Sequence, residues 1–140
     1  MRLFPCLALI LLLAGCGGGA GQADGDPLAD TAWVLEQLDG KAAATGIEVT
    51  ARFAEGRIGG KAGCNQYFAS YTVDGDSLRI GPAGATKMMC PEPAMAVEDA
   101  FLAALQDIRT FKASGGRLQL HGSGGAALTF TTAPFTAGKE

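Results

Sequence analysis

The sequence predicts a mainly β, α+β domain: a single compact antiparallel β-barrel-like or strongly curved sheet of seven or eight strands with one packed α-helix. Three observations lead there. Apolar and polar residues alternate with period two in several short runs, turns rich in glycine and aspartate separate those runs, and one stretch carries helical spacing.

Trp33 and Leu35 open the first candidate strand. Ile47, Val49, Ala51 and Phe53 then alternate with Glu48, Thr50, Arg52 and Ala54, the pattern of a strand with one buried face. Tyr67, Ala69, Tyr71 and Val73 repeat it, Asp74-Gly75-Asp76 supplies a tight turn, and Leu78 and Ile80 continue beyond, so a hairpin is expected. From Met95 to Asp107, the residues Val97, Phe101 and Leu105, followed by Ile108, fall at helical spacing, with Glu98, Asp99, Gln106 and Asp107 elsewhere, off that apolar stripe. Pro91 and Pro93 suit the approach to that helix, because proline is tolerated before or at the first turn and no deeper. Leu118 with Leu120 and Leu128 with Phe130 form a late strand pair across Gly122–Gly125. Short antiparallel strands in this number manage their edges by closing or by curving strongly, and a single helix packs against the result.

The residues ahead of the domain read as an address. Arg2 is a positive start, Leu7–Leu13 an apolar run, and Leu13-Ala14-Gly15-Cys16 resembles a lipobox. The expected division is a cleaved signal peptide over 1–15, a flexible linker over 16–30, the domain over 31–132 and a flexible tail over 133–140. The apolar run is too short for a helix that spans a bilayer, which needs about 20 residues. The lipobox resemblance implies a diacylglycerol on the Cys16 thiol and an acyl chain such as palmitate on its amine. The lipid bilayer is therefore an expected partner, and two or more chains anchor durably. Gly17, where aspartate would signal retention, implies by the same resemblance the inner face of the outer membrane, facing the periplasm. Gly17 to Asp30 is mostly Gly, Ala, Asp and Gln, too little apolar surface to order itself. Asp24, Asp26 and Asp30 lack the glycine and distal glutamate spacing of a calcium loop.

The chain of 140 residues carries a formal charge of −3, one unit more negative without Arg2, and has no run of Lys or Arg. Such a surface repels phosphate backbones, so nucleic acid is not an expected partner. His121 is the only histidine, which removes the commonest general base and metal ligand. No catalytic residue, metal or cofactor other than the lipid is assigned, and a monomer without enzymatic activity is expected.

The informative stretch runs from Phe53 through Gly56, Ile58, Gly60, Gly63, Cys64 and Asn65 to Tyr67, followed by Tyr71 and by Thr86-Lys-Met88-Met89-Cys90. It resembles the META/HslJ domain family. The matching elements are Trp33-x-Leu35, a glycine-punctuated strand ending in Gly-Cys-Asn-x-Tyr, Thr-x-Met-x-Cys, an acidic residue and an aromatic in the following helix, and a terminal Leu-x-Leu strand. The resemblance covers Thr31 to Thr131. Ser70 departs from it, standing where the family often has glycine. It implies a compact β-barrel-like domain with one helix, often an envelope lipoprotein linked with stress tolerance, motility or virulence, and no established enzymatic activity. The motif residues are of types that shape backbone. Gly56, Gly59, Gly60 and Gly63 suit a bulged, sharply bent strand pair, and Asn65 suits the turn after Cys64, with ligand contact as its alternative role.

Cys6 leaves with the leader and Cys16 is consumed by lipid, so Cys64 and Cys90 remain. In an oxidising envelope they are expected to form a disulfide, closing a loop of about 26 residues worth roughly 3 to 4 kcal/mol. Two alternatives stand beside it. One is a Cu(I) site with Met88 and Met89, although at strand spacing these point to opposite faces and read as core filler. The other is a redox-active Cys64, with Lys61 and Lys87 as nominal neighbours. The expected function is a binding or stress-protective envelope module that contacts another envelope protein. Alternatively, a barrel lined by Trp33, Phe53, Tyr67 or Phe101 encloses a small apolar ligand or peptide. An enzyme would need a cleft uniting Glu98 or Asp107 with His121, which its strand alternation turns outward.

Overall fold

The computed structural model describes residues 25–133. The expectations for residues 1–15, for Cys16 and for the tail beyond Ala133 lie outside them.

Ten strands and one helix follow in order: β1 Thr31–Leu38, β2 Lys41–Ala42, β3 Thr50–Ala54, β4 Arg57–Lys61, β5 Gln66–Asp74, β6 Ser77–Ile80, β7 Gly84–Ala85, α1 Ala94–Gln106, β8 Thr110–Ser114, β9 Arg117–Gly122 and β10 Gly125–Thr132. Eight close an antiparallel barrel in the order β1-β3-β4-β5-β6-β8-β9-β10, sealed where β10 returns to β1 from Trp33↔Thr132 to Leu38↔Leu128. The short β2 and β7 lie along β1 and β5 beyond the ends of β3 and β6. The seam between β6 and β8 is brief: Ser77↔Thr110 is its one register pair, supported by bonds from Leu78 N to Arg109 O (2.9 Å) and from Phe111 N to Asp76 O (3.0 Å). Gly56, expected in a bulged strand, instead shares the two-residue β3–β4 turn with Glu55, where both φ angles are positive (74° and 52°) as such hairpins require.

The alternation turns Phe53, Ile58, Tyr67, Leu78, Leu118, Leu120, Leu128 and Phe130 inward. The helix starts within a residue of its expected position and adds Phe101 and Leu105. Edge-on aromatic pairs, Phe53 with Tyr71 at 5.0 Å and Tyr67 with Phe101 at 5.1 Å, pack this interior. The helix crosses one mouth of the barrel, from Gly63, beside Ala94, to Gly122, beside Asp107. Glu92, just before it, accepts from Ala96 N (3.1 Å), satisfying a donor of the first turn. One expectation is corrected here: Glu98 faces inward and is 5% exposed.

A second correction concerns the linker, whose last residues plug the other mouth. Leu28 is 0% exposed. Asp26 folds the turn that inserts it, accepting from Leu28 N at Oδ1 (2.8 Å) and from Ala29 N at its carbonyl (3.2 Å). The Tyr71 hydroxyl donates to Asp26 Oδ2 and ties the turn to β5. Leu28 stands alone among small and polar residues from Gly17 to Asp30, so no periodicity announces it.

Truncating a core leucine costs about 2 to 5 kcal/mol. Leu28→Ala is therefore expected to lower unfolding stability in urea by that amount, whereas a free tether would show no change. Burial first, then the hydrogen bond and charge of Asp26, push the Tyr71 hydroxyl above its ordinary pKa. A raised folded value means this contribution is whole below the unfolded value of about 10 and is lost as pH rises through the folded one. Tyr71→Phe is expected to flatten the alkaline fall in stability; an unchanged alkaline limb would remove the Tyr71–Asp26 bond from the account.

Candidate functional site

The motif residues converge where the helix meets the barrel. Asn65 follows β4 and is 2% exposed. Its backbone N–H donates to Glu98 Oε1 (2.7 Å) and its Nδ2 to Glu98 Oε2 (2.9 Å) and to the Met88 carbonyl (3.1 Å). Its Oδ1 accepts from Met88 N–H (2.6 Å) and from the Thr86 hydroxyl (3.0 Å), and its carbonyl accepts from Ala62 N–H (2.9 Å). Thr86 in turn accepts from Gln66 N–H (3.1 Å). Every hydrogen-bonding group of the Asn65 amide is satisfied, so a clamp replaces the expected local turn.

The segment 86–90 is thereby strapped across β5, and Cys90 is bonded to Cys64 with Cα atoms 5.9 Å apart. The expected disulfide is present and the Cu(I) alternative loses both thiolates. Cys64 Sγ lies 3.7 Å from the Met88 carbonyl, a packing contact, since a bonded sulfur has no proton to donate. Met88 serves through its backbone. Neither methionine is core filler: the side chains of Met88 and Met89 are 56% and 87% exposed.

A second knot forms on Thr50. The Tyr67 hydroxyl, its pKa pushed up by burial, donates to the Thr50 carbonyl (2.7 Å), and Lys61 N–H donates to Thr50 Oγ1 (3.0 Å). A Cβ on Gly60 would lie 2.5 Å from that same carbonyl oxygen, so only glycine fits. Gly63, at φ 103°, lies close to the helix start, where a Cβ would sit 3.2 Å from the Ala94 carbonyl oxygen.

The other candidates are dispersed. Asp107 accepts from Ser123 N–H (3.1 Å) and Oγ (2.9 Å), which hold its carboxyl below the usual range, and pairs with Arg109 at 3.8 Å. Among the described residues, neither Glu98 nor Asp107 hydrogen-bonds to His121, and no cluster of three His, Cys, Asp or Glu is placed to hold a metal. The alternative of a ligand cavity inside the barrel gains no support among the described residues: Phe53 and Phe101 are fully buried, Trp33 and Tyr67 nearly so, and all four belong to one packed core.

Open apolar space lies on the outer wall. Facing outward, the register aligns Ala32 with Arg52, Arg52 with Gly59 and Gly59 with Phe68, while Ala133 N–H donates to the Ala32 carbonyl (3.1 Å). This row floors a groove of about 490 Å³ bordered by Ala54, Arg57 and an edge of Trp33. Phe68, 55% exposed, is its end wall. A more polar cleft with Asp30, Ser114 and Gly116 adjoins it at the plugged mouth. The alternation that turns Tyr67 inward turns Phe68 outward, so this wall was detectable in the sequence; the partnership of Ala32, Gly59 and Ala133 was not.

Truncating Asn65 takes the Nδ2 donor from the buried Glu98 carboxyl, leaving it the backbone N–H alone, and also frees the Met88 backbone and the Thr86 hydroxyl. Asn65→Ala is expected to cost about 3 kcal/mol or more in urea unfolding, beyond its loss of volume. A cost under about 1 kcal/mol, the usual worth of one exposed bond, would show that the clamp does not hold the helix.

The META domain profile matches residues 26–135, starting at the aspartate of the Leu28 turn. Among solved structures, the chain is similar to a protein from Burkholderia xenovorans determined by NMR, at 32% identity and TM-score 0.63, over 76% of this chain and 83% of that one. It is also similar to a second NMR structure, at 21% identity and TM-score 0.63, over 78% and 94%. A crystal structure of a duf4847 family protein from Bacteroides vulgatus shares the fold at 15% identity and TM-score 0.51, over 75% and 94%. No curated protein sequence matches the chain. The chain belongs to the META domain family.

Proposed function

We propose that this protein is a lipid-anchored, non-enzymatic envelope module that binds an apolar peptide segment flanked by acidic residues on the outer wall of its barrel. One observation carries the reading: the interior is packed and the motif's polar groups bond one another, while the outer wall keeps an unfilled apolar groove beside Arg52 and Arg57. Small floor residues admit a backbone closely, and the two guanidiniums complement carboxylates.

The anchor rests on Arg2, the Leu7–Leu13 run and Leu13-Ala14-Gly15-Cys16. The described residues begin at Gly25, and the nine residues from Cys16 to Asp24 can span at most about 32 Å. The plugged mouth would then face the membrane and the wall with Phe68 would stand beside it, open to periplasmic partners. The disulfide and the doubly closed barrel suit persistence in an oxidising, stressed compartment.

A photo-crosslinking residue in place of Phe68, in living cells, is expected to capture one reproducible protein through an apolar segment with acidic neighbours. Arg52→Glu should diminish that adduct and Cys16→Ser should release the protein from the membrane fraction. Adducts spread evenly over abundant envelope proteins, unchanged by Arg52→Glu, would rule the groove out as a recognition surface.

A further inference from the structure

The strap over residues 86–90 carries two side chains that folding does not use. Met88 and Met89, with Phe68, are the exposed large apolar side chains among the described residues. The clamp grips Met88 through its backbone alone: the N–H donates to Asn65 Oδ1 (2.6 Å), and the carbonyl accepts from Asn65 Nδ2 (3.1 Å). Many side chains would serve those two bonds equally. Two thioethers side by side in water gain little packing, and what sets them apart from other apolar groups is the sulfur.

Beside them lies the Cys64–Cys90 bond. Cys64 is buried, whereas Cys90, the residue after Met89, is half-buried, so the cysteine nearer to solvent is the one beside the methionines. Cys64 Sγ lies 3.7 Å from the Met88 carbonyl, so the backbone that carries both methionines runs against the bond.

We infer that Met88 and Met89 form a reversible oxidation site, which takes up two-electron oxidants of the hypochlorous acid class as sulfoxides before these reach the Cys64–Cys90 disulfide. The outer-wall groove plays no part in it.

The chemistry balances at each sulfur. Its lone pair takes the chlorine of hypochlorous acid and releases hydroxide; water then displaces chloride and loses two protons. One O–Cl bond is broken and one S=O bond formed, sulfur gives up two electrons, and chlorine leaves as chloride with one net proton. Two thiols of a sulfoxide reductase return the electrons, forming a disulfide and water. A methionine in a core would disrupt its surroundings on becoming polar. These two already stand in water, and their backbone is fastened by Asn65 on one side and by the disulfide on the other. Oxygen is therefore added and removed while the barrel stays as it is. Met95, half-buried in the first turn of α1, is the slower target.

The mature full-length protein, titrated with hypochlorous acid and mapped by peptide mass spectrometry, is expected to take its first oxygens at Met89 and Met88, with Met95 still a thioether. The urea unfolding midpoint should not move, and methionine sulfoxide reductases supplied with dithiothreitol should remove both oxygens. In Met88→Leu/Met89→Leu, which keeps size and backbone but lacks sulfur, Cys64 and Cys90 should appear as sulfonic acids at a dose lower by about two equivalents of oxidant per protein, one for each lost sulfur. Met95→Leu should leave that dose unchanged. Wild type whose exposed methionines have first been converted with hydrogen peroxide should behave like the double variant, a check that needs no substitution. Sulfoxide at Met95 as early as at Met89 would overturn the inference, as would a midpoint that falls once Met88 and Met89 are oxidised. Loss of the disulfide at the same dose with and without the two thioethers would overturn it too.

Discussion

A carboxylate buried at the mouth of the barrel must be met by donors, because leaving it unpaired would cost more than most single contacts in the domain contribute. Glu98 is met by two N–H groups of Asn65, one from backbone and one from the amide. That pair fixes the rotation of α1 so that Phe101 and Leu105, one and two turns further on, point into the barrel. It also uses one half of the Asn65 amide, leaving Oδ1 and the remaining Nδ2 proton to grip the backbone of Met88 and the Thr86 hydroxyl. Helix, strap and strand thus share one residue, and the Cys64–Cys90 bond lies beside it as a covalent duplicate.

Both mouths of the barrel are shut, by unlike means. The helix covers one with a long apolar face, and a five-residue turn covers the other with a single leucine held by Asp26 and Tyr71. With both ends closed and aromatic pairs across the middle, buried side chains form one continuous core among the described residues. Open apolar space lies instead on the outer wall, where Ala32 and Gly59 form a floor too small to cover itself.

The same division explains the chemistry. The polar side chains of the motif are committed to structure: Asn65 to Glu98 and the strap, Tyr67 to Thr50, Tyr71 to Asp26. Groups that attract notice as potential acids or bases, Asp107 above all, are held by neighbours at hairpin ends.

Local pattern determined a good deal. Period-two alternation around Phe53, Tyr67 and Leu120 specifies strands with one inward face, and the 3.6-residue spacing of Phe101 and Leu105 specifies the helix, because side-chain direction follows backbone geometry alone. The strand Thr110–Ser114 escaped, since Phe111 is its only inward apolar residue and one residue makes no period. The tertiary structure alone decided what depends on residues far apart in the chain. Leu28 is core because Tyr71, 45 positions from Asp26, anchors its turn. Glu98 is buried because Asn65, 33 positions away, supplies its donors. The groove exists because barrel closure sets Ala133 beside Ala32, on the same wall where the β4–β5 pairing sets Gly59 beside Phe68. Alternation states which way each side chain points; only the register of a closed sheet states what it points beside.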